Sequence, residues 1–222
     1  MKLNHINHDS AKLLLFFGGF YTDYNCFEEF DTKTSDILFI NDYSKMDFEE
    51  LRYFEFTPYS EINLLAYSYG VWAANEAWLS RSLPTEINKS VAISGTFCPV
   101  HTVFGINPKV YNIMLNALSV QTIANFKQNM FANCSKNDSD IKSADRTLEN
   151  LREELINIKA NSKECAMEDG FQFDTVILTR NDKIFPFRAQ ENFFENHPHK
   201  VVLETGHFPF FEFETFDNIL EA

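Results

Sequence analysis

No stretch of about 20 apolar residues occurs in the 222-residue sequence, so no transmembrane helix is expected. The residues after Met1, Lys-Leu-Asn-His, hold no apolar core of signal-peptide length, and the longest early apolar run, Leu13 to Phe17, is only a strand's length. A soluble, cytoplasmic protein is the expectation. Glycine and proline, seven of each, are too few for a fibrous or low-complexity chain. The four cysteines, Cys26, Cys98, Cys134 and Cys165, are dispersed without a Cys-x-x-Cys pair. That spacing disfavours zinc and a disulfide framework, and it points to a reducing compartment. Positive charge is scarce as well: 19 Lys or Arg stand against 32 Asp or Glu, a net charge of −13. A surface of that sign repels phosphate backbones, so nucleic acid is not an expected partner.

What is present, 45% hydrophobic and 23% charged residues, suits a single domain spanning 1–222. A fold of this size buries roughly 70% of the surface of its unfolded chain and needs no disulfide or metal staple. Apolar runs recur at 12–17, 37–40, 62–67, 91–94, 175–179 and 201–203, with helical periodicity between several of them. Runs without alternation fit strands covered on both faces, which predicts an α/β fold with a mostly parallel central sheet flanked by helices. After Gly95 the pattern changes. From about 99 to 170 the strand signal vanishes, and two polar amphipathic helical stretches, 108–130 and 138–160, flank the turn-rich Asn133-Cys-Ser-Lys-Asn-Asp-Ser-Asp. Asn107 and Pro108 suit an N-cap and a first helical residue. This reads as a helical lid inserted between the fourth and fifth visible strands. Its charge differs too: residues 100–165 hold eight Lys or Arg and seven Asp or Glu, against −14 elsewhere.

Four segments could carry chemistry. In Leu64-Leu-Ala-Tyr-Ser68-Tyr-Gly70-Val-Trp-Ala-Ala a strand-like run passes at Ser68 directly into a helix-like one. Small residues at Ala66 and Gly70 are what a sharp strand-to-helix turn needs, and such a turn pushes the serine hydroxyl out of the sheet. It also sets the Tyr69 amide at a helix N-terminus, where it can bind a developing oxyanion. The plainer alternative is a serine capping a buried helix. In Leu13-Leu-Leu-Phe-Phe-Gly18-Gly19-Phe20 a strand runs into paired glycines, which makes the Gly19 N–H a candidate second oxyanion donor or, more simply, part of a tight turn. No Gly-x-Gly-x-x-Gly follows, which disfavours a dinucleotide site. Asp182 lies just past the strand-like 175–179 and could orient a histidine, or form an ordinary Asx turn. Asp169 and Asp174 compete for that role but precede the strand, at the wrong edge. His207 follows Gly206 at the end of the last apolar run and could equally be a core histidine. The order Ser68, Asp182, His207, each beyond a predicted strand, would bring all three to the carboxyl edge of a parallel sheet. That coincidence favours nucleophilic serine catalysis.

The chain resembles the α/β-hydrolases, and more closely the BioG-type pimeloyl-acyl-carrier-protein methyl ester esterases of biotin synthesis. The resemblance rests on Phe-Phe-Gly-Gly-Phe, on Tyr67-Ser-Tyr-Gly-Val-Trp-Ala-Ala74, on Asn181-Asp-Lys-Ile-Phe-Pro186 and on Gly206-His-Phe-Pro-Phe210, and it covers nearly the whole length. Ala66 stands where the broader pattern Gly-x-Ser-x-Gly has glycine, and Gly19-Phe20 stands where relatives often have Trp-Gly. The resemblance implies a Ser68–His207–Asp182 triad, an oxyanion hole of the Gly19 and Tyr69 amides, and no metal or organic cofactor. It implies pimeloyl-acyl-carrier-protein methyl ester as substrate and an acyl-carrier protein as partner. The triad alone leaves open a general short-chain carboxylesterase or thioesterase, or an idle hydrolase fold used for binding. Because carrier proteins are acidic as a class, docking is expected on Lys109, Lys127, Lys142, Arg146, Arg152 and Lys159. The alternative for Arg146 and Arg152 is pairing on a helix surface with acids such as Glu149 and Glu153. Phe185, Phe187, Phe208, Phe210, Phe211 and Phe213, among 24 phenylalanines, could line an acyl channel, but composition bias filling a core is the better account. His101, and the pair His197 and His199, receive no role.

Overall fold

The computed structural model describes residues 1–136, 141–142, 144–162, 165 and 169–222. Among these residues seven strands form one sheet in the order β1-β3-β2-β4-β5-β6-β7. They are β1 (Lys2–Ile6), β2 (Lys12–Phe17), β3 (Asp36–Asn41), β4 (Glu61–Tyr67), β5 (Lys89–Ile93), β6 (Thr175–Thr179) and β7 (Lys200–Leu203). β1 alone runs antiparallel, paired with β3; every other pairing is parallel. Side chains alternate across the sheet. Leu13, Leu15, Phe17, Leu38 and Leu64 therefore enter one core, while Leu14, Phe16, Phe39 and Leu65 enter the other. Burial on both faces is why these strands read as unbroken apolar runs.

Six strands fall where the apolar runs predict them. β1 does not announce itself, because at the sheet edge only Leu3 and Ile6 of its five residues are even partly buried. Among the described residues there are seven α-helices: α1 (Glu49–Tyr53), α2 (Tyr69–Leu79), α3 (Pro108–Asn116), α4 (Val120–Phe131), α5 (Leu148–Asn161), α6 (Phe187–Phe193) and α7 (Phe216–Leu220). The expected helix over 108–130 is two helices. Ser119 breaks it with a capping box, its hydroxyl accepting from the Thr122 amide while Thr122 Oγ1 accepts from the Ser119 amide. The expected second stretch begins later than 138, at Leu148, and positions 138 and 140 lie outside the described residues.

Two further expectations are corrected. Cys98 and Cys165, 67 residues apart, are joined by a disulfide with a Cα–Cα distance of 5.3 Å, so sequence dispersion did not mean separation in space. Arg146 is not surface charge: its side chain is 3% exposed and reaches Glu154 Oε2 at 2.6 Å and Asp42 Oδ1 at 3.0 Å. It also donates to Asn150 Oδ1. Burial alone would raise the Asp42 carboxyl; bonds from Ser44 and Asn150 and the Arg146 charge outweigh it and hold the group below its ordinary range. At Glu154 burial wins, and the carboxyl is pushed up. This network fastens α5 to the end of β3. Among the described residues, no helix is long and apolar enough to cross a membrane, and no group of three His, Cys, Asp or Glu could hold a metal ion.

Candidate active site

β4 ends at Tyr67 and α2 starts at Tyr69, so the whole reversal is made at Ser68, whose φ of 56° and ψ of −119° are strained for a residue with a side chain. The turn is held from three sides. Ser68 N–H donates to Ile93 O at 2.8 Å. A Cβ on Gly70 would lie 2.1 Å from Phe17 O, and one on Gly95 2.2 Å from Ser68 O. Only glycine fits at either place, so the elbow, the end of β2 and the end of β5 interlock. Ala66 is fully buried between Phe17 and Ala92 in the sheet register.

Ser68 Oγ lies 3.0 Å from His207 Nε2, and His207 Nδ1 lies 2.7 Å from Asp182 Oδ2. The three residues, 139 positions apart from first to last, meet at the carboxyl ends of β4, β6 and β7. Ser68 and His207 are 3% and 1% exposed. Asp182 both closes an Asx turn and meets the imidazole. Its Oδ1 accepts the Ile184 and Phe185 amides at 2.7 and 2.8 Å, an Asx turn, and that turn leaves Oδ2 for the imidazole. Thr179 Oγ1 and the fully buried Gln190 Nε2 also donate to Oδ2, at 3.0 and 3.1 Å. Sequence reasoning missed both, although Gln190 could have been noticed as a polar residue on an inward helical position of α6. Asp174 instead binds Ser90 at the opposite edge of the sheet, and Asp169 is exposed.

Gly19 sits beside the elbow: a Cβ there would lie 3.0 Å from Ser68 Cβ. Tyr69 opens α2, and its N–H has no acceptor within the helix. Among the described residues, neither the Gly19 nor the Tyr69 N–H donates to another group of the protein. Phe20, which follows the first candidate donor, and Tyr69, the second donor itself, both meet the insertion. Phe20 packs edge-on against Phe126 of α4 at 5.2 Å between centroids, and Tyr69 lies 6.4 Å from Tyr111 of α3.

Of the six phenylalanines near Asp182 and His207, Phe185, Phe208 and Phe210 are core, and Phe187, Phe211 and Phe213 are half-buried against it. Phe208 and Phe210 are fully buried against Phe16, Phe27 and Phe131, and the Tyr67 ring lies 5.2 Å from the imidazole. His101 accepts the Val103 and Phe104 amides, and His197 bonds Phe173 O and His199 O, so both shape loops. Of the six candidate docking cations, Arg146 is buried in the network above. Arg152 caps α3 by donating to Leu115 O and Leu118 O. Neither pairs with Glu149 or Glu153 among the described contacts. Lys142 pairs with Glu28. Lys109 and Lys159 are exposed, and Lys127 is half-buried.

Solved structures share this architecture. The chain superposes on BioG from Haemophilus influenzae with a TM-score of 0.86 at 20% identity, over 99% of this chain and 100% of that one. An esterase from Exiguobacterium antarcticum gives a TM-score of 0.69 at 14% identity, over 95% of this chain and 89% of that one. At such identities the likeness establishes the fold, that of the α/β-hydrolases. The family model described as pimeloyl-ACP methyl esterase BioG matches residues 1–219, and the chain belongs to the BioG family of esterases. It is also 30% identical over 194 residues to a Bacteroides fragilis (strain 638R) protein named malonyl-[acyl-carrier protein] O-methyltransferase. That alignment takes in 87% of this chain but 38% of the relative, so the chain spans well under half the relative's length.

Proposed function

We propose that this protein is a serine carboxylesterase that hydrolyses the methyl ester of pimeloyl-acyl-carrier protein, releasing methanol and the free carboxylate for biotin synthesis. The observation that carries the chemistry is the Ser68–His207–Asp182 relay at 3.0 and 2.7 Å. Membership of the BioG family supports the substrate. So does the methyltransferase relative, whose name describes methylation of a carrier-bound acid, the converse of removing such a methyl group.

In this reading Ser68 Oγ attacks the ester carbonyl while His207 Nε2 takes its proton. Asp182 keeps the other imidazole proton on Nδ1 and stabilises the cation. The Gly19 and Tyr69 amides hold the tetrahedral oxyanion. His207 then returns the proton to the departing methoxide, and water activated by the same imidazole hydrolyses the acyl-enzyme. The groups named supply every proton transfer. The helices α3 and α4 act as the lid, with Phe126 against Phe20, the residue after Gly19, and Tyr111 against Tyr69 itself. A cytoplasmic location goes with a carrier-bound substrate of biotin synthesis, while the Cys98–Cys165 disulfide withdraws the support that dispersed cysteines gave to a reducing compartment.

The carrier is proposed to dock on the exposed lysines of the insertion, since the rest of the chain would repel an acidic partner. Lys109→Glu with Lys159→Glu is expected to raise KM for carrier-bound ester, most steeply at low salt, because screening shortens to about 8 Å at physiological ionic strength. Hydrolysis of a small uncharged ester should be unchanged. Arg146→Met should behave differently, since removing one member of a buried ion network costs roughly 3–5 kcal/mol. It is expected to lower Tm by about 10 °C. Steady-state kinetics on both substrates and thermal unfolding separate these effects. Equal loss on both esters for the lysine variant would mean a damaged insertion, and no loss on either would place docking elsewhere.

A further inference from the structure

The N–H assigned to one side of the oxyanion site belongs to the peptide between Gly18 and Gly19. No side chain on either residue holds that peptide, and glycine on both sides makes it the freest unit of the backbone to rotate. In a trans peptide the carbonyl and the N–H point in opposite directions, so whatever holds Gly18 O also sets the direction of the Gly19 N–H. Tyr43, fully buried just beyond β3, puts its hydroxyl 2.8 Å from Gly18 O. A second acceptor, Ile40 O, is 3.1 Å away but already receives the Gly18 N–H at 2.8 Å. Among the described residues the Tyr43 hydroxyl is the donor to Gly18 O, and it has one proton to give.

We propose that Tyr43 is a positioning residue for ester hydrolysis: its hydroxyl clamps the Gly18–Gly19 peptide so that the Gly19 N–H faces the carbonyl attacked by Ser68. This rests on the reading of Ser68 as nucleophile. The bond does two things at once. It prevents the glycine peptide from turning over, and by polarising the Gly18 carbonyl it strengthens the N–H at the other end of the same amide. Thr22 Oγ1 holds the next peptide, Gly19–Phe20, by donating to Gly19 O at 2.8 Å. Burial pushes the Tyr43 hydroxyl well above the ordinary phenol range, with the Glu154 charge adding to it and Arg146 opposing, so the group stays a donor.

The clamp is itself held by the insertion. The Tyr43 N–H donates to Glu154 Oε1 at 3.0 Å, and Asn157 Nδ2 donates to Tyr43 O at 2.7 Å. Both partners lie on α5, with Arg146 bonded to Glu154. Trp72 of α2 packs edge-on against the Tyr43 ring at 6.3 Å. The buried Glu154–Arg146 pair is therefore linked to the oxyanion site through one tyrosine.

Tyr43→Phe keeps the ring and removes the donor. Its kcat for a small p-nitrophenyl ester should fall about 10-fold, less than the 10²–10³ that follows loss of a whole oxyanion donor, with KM within a factor of two. Difference infrared spectroscopy of the Ser68 acyl-enzyme, formed with a slowly deacylating cinnamoyl ester carrying an isotope-labelled carbonyl, supplies the readout that packing would not move. The carbonyl band should shift to higher wavenumber in Tyr43→Phe, reporting weaker hydrogen bonding. Asn157→Ala releases the Tyr43 carbonyl and one exposed bond from Asn161 Nδ2 on the same helix but leaves the Tyr43 hydroxyl in place; it should shift kcat and the band the same way by a smaller amount, and it serves if Tyr43→Phe does not fold. An unmoved band with normal kcat, or a loss of kcat with an unmoved band, would overturn the clamp. Mass spectrometry of the wild-type adduct keeps the two claims apart: a cinnamoyl group absent from Ser68 would overturn the nucleophile and the clamp with it.

Discussion

Ser68→Ala should lower turnover by about 10⁶-fold, to the level left by binding and the oxyanion site alone. The hydroxyl touches only His207 Nε2 among described partners, so its removal ends proton transfer and nucleophilic attack together. The fold should survive. The elbow is imposed by Gly70, Gly95 and the Ser68 N–H bond to Ile93, none of which needs the hydroxyl. Circular dichroism and a melting curve close to wild type should therefore accompany the loss. His207→Ala should resemble it, and the double variant should be little worse than either single one, because the pair acts as a unit. Esterase activity retained by highly purified Ser68→Ala would remove this serine from the chemistry.

Asp182→Asn should cost on the order of 10⁴ in kcat, by analogy with serine proteases. The environment of the carboxylate says why a near-isosteric amide fails. Oδ1 faces two backbone N–H donors, so an asparagine must point its carbonyl there. Its NH₂ then faces His207 Nδ1, Thr179 Oγ1 and Gln190 Nε2. Imidazole can satisfy an N–H at Nδ1 only as an acceptor, which moves its proton to Nε2, the atom that must receive the proton of Ser68. Thr179 can rotate its hydroxyl away, but Gln190 has only donors at Nε2. Single-turnover kinetics should show the acylation step slowed. Asp174→Asn, which disturbs only Ser90 at the far edge of the sheet, should leave that step at the wild-type rate. The reverse pattern would reassign the acid.

The parts of this account legible in the sequence share a physical cause. Strands buried on both faces leave unbroken apolar runs, and the proposed catalytic side chains, placed just beyond strand ends, inherit positions that can be read from those runs. Ser68 was readable because its turn also demands small neighbours. What could not be read depends on partners distant in the chain. Arg146 looked like surface charge because counting charges ignores where they pair, and its acids, Asp42 and Glu154, lie on a strand end and a helix interior. Gln190 and Thr179 support Asp182 from separate elements, and Tyr43 reaches Gly18 across 25 positions. The Cys98–Cys165 disulfide closes the insertion at its two ends, and spacing alone could not disclose it. The break at Ser119 was available in principle, since its capping box uses threonine where glutamate or glutamine is the familiar third residue.

The most direct test of the central claim is to incubate the purified protein with pimeloyl-acyl-carrier-protein methyl ester and follow the carrier by intact-mass spectrometry, with Ser68→Ala in parallel. The account predicts loss of the mass of one methylene as methyl ester becomes acid, release of methanol, an acyl chain still attached to its carrier, and no change with the variant. A carrier mass unchanged while p-nitrophenyl esters are turned over, or loss of the whole acyl group, would contradict it.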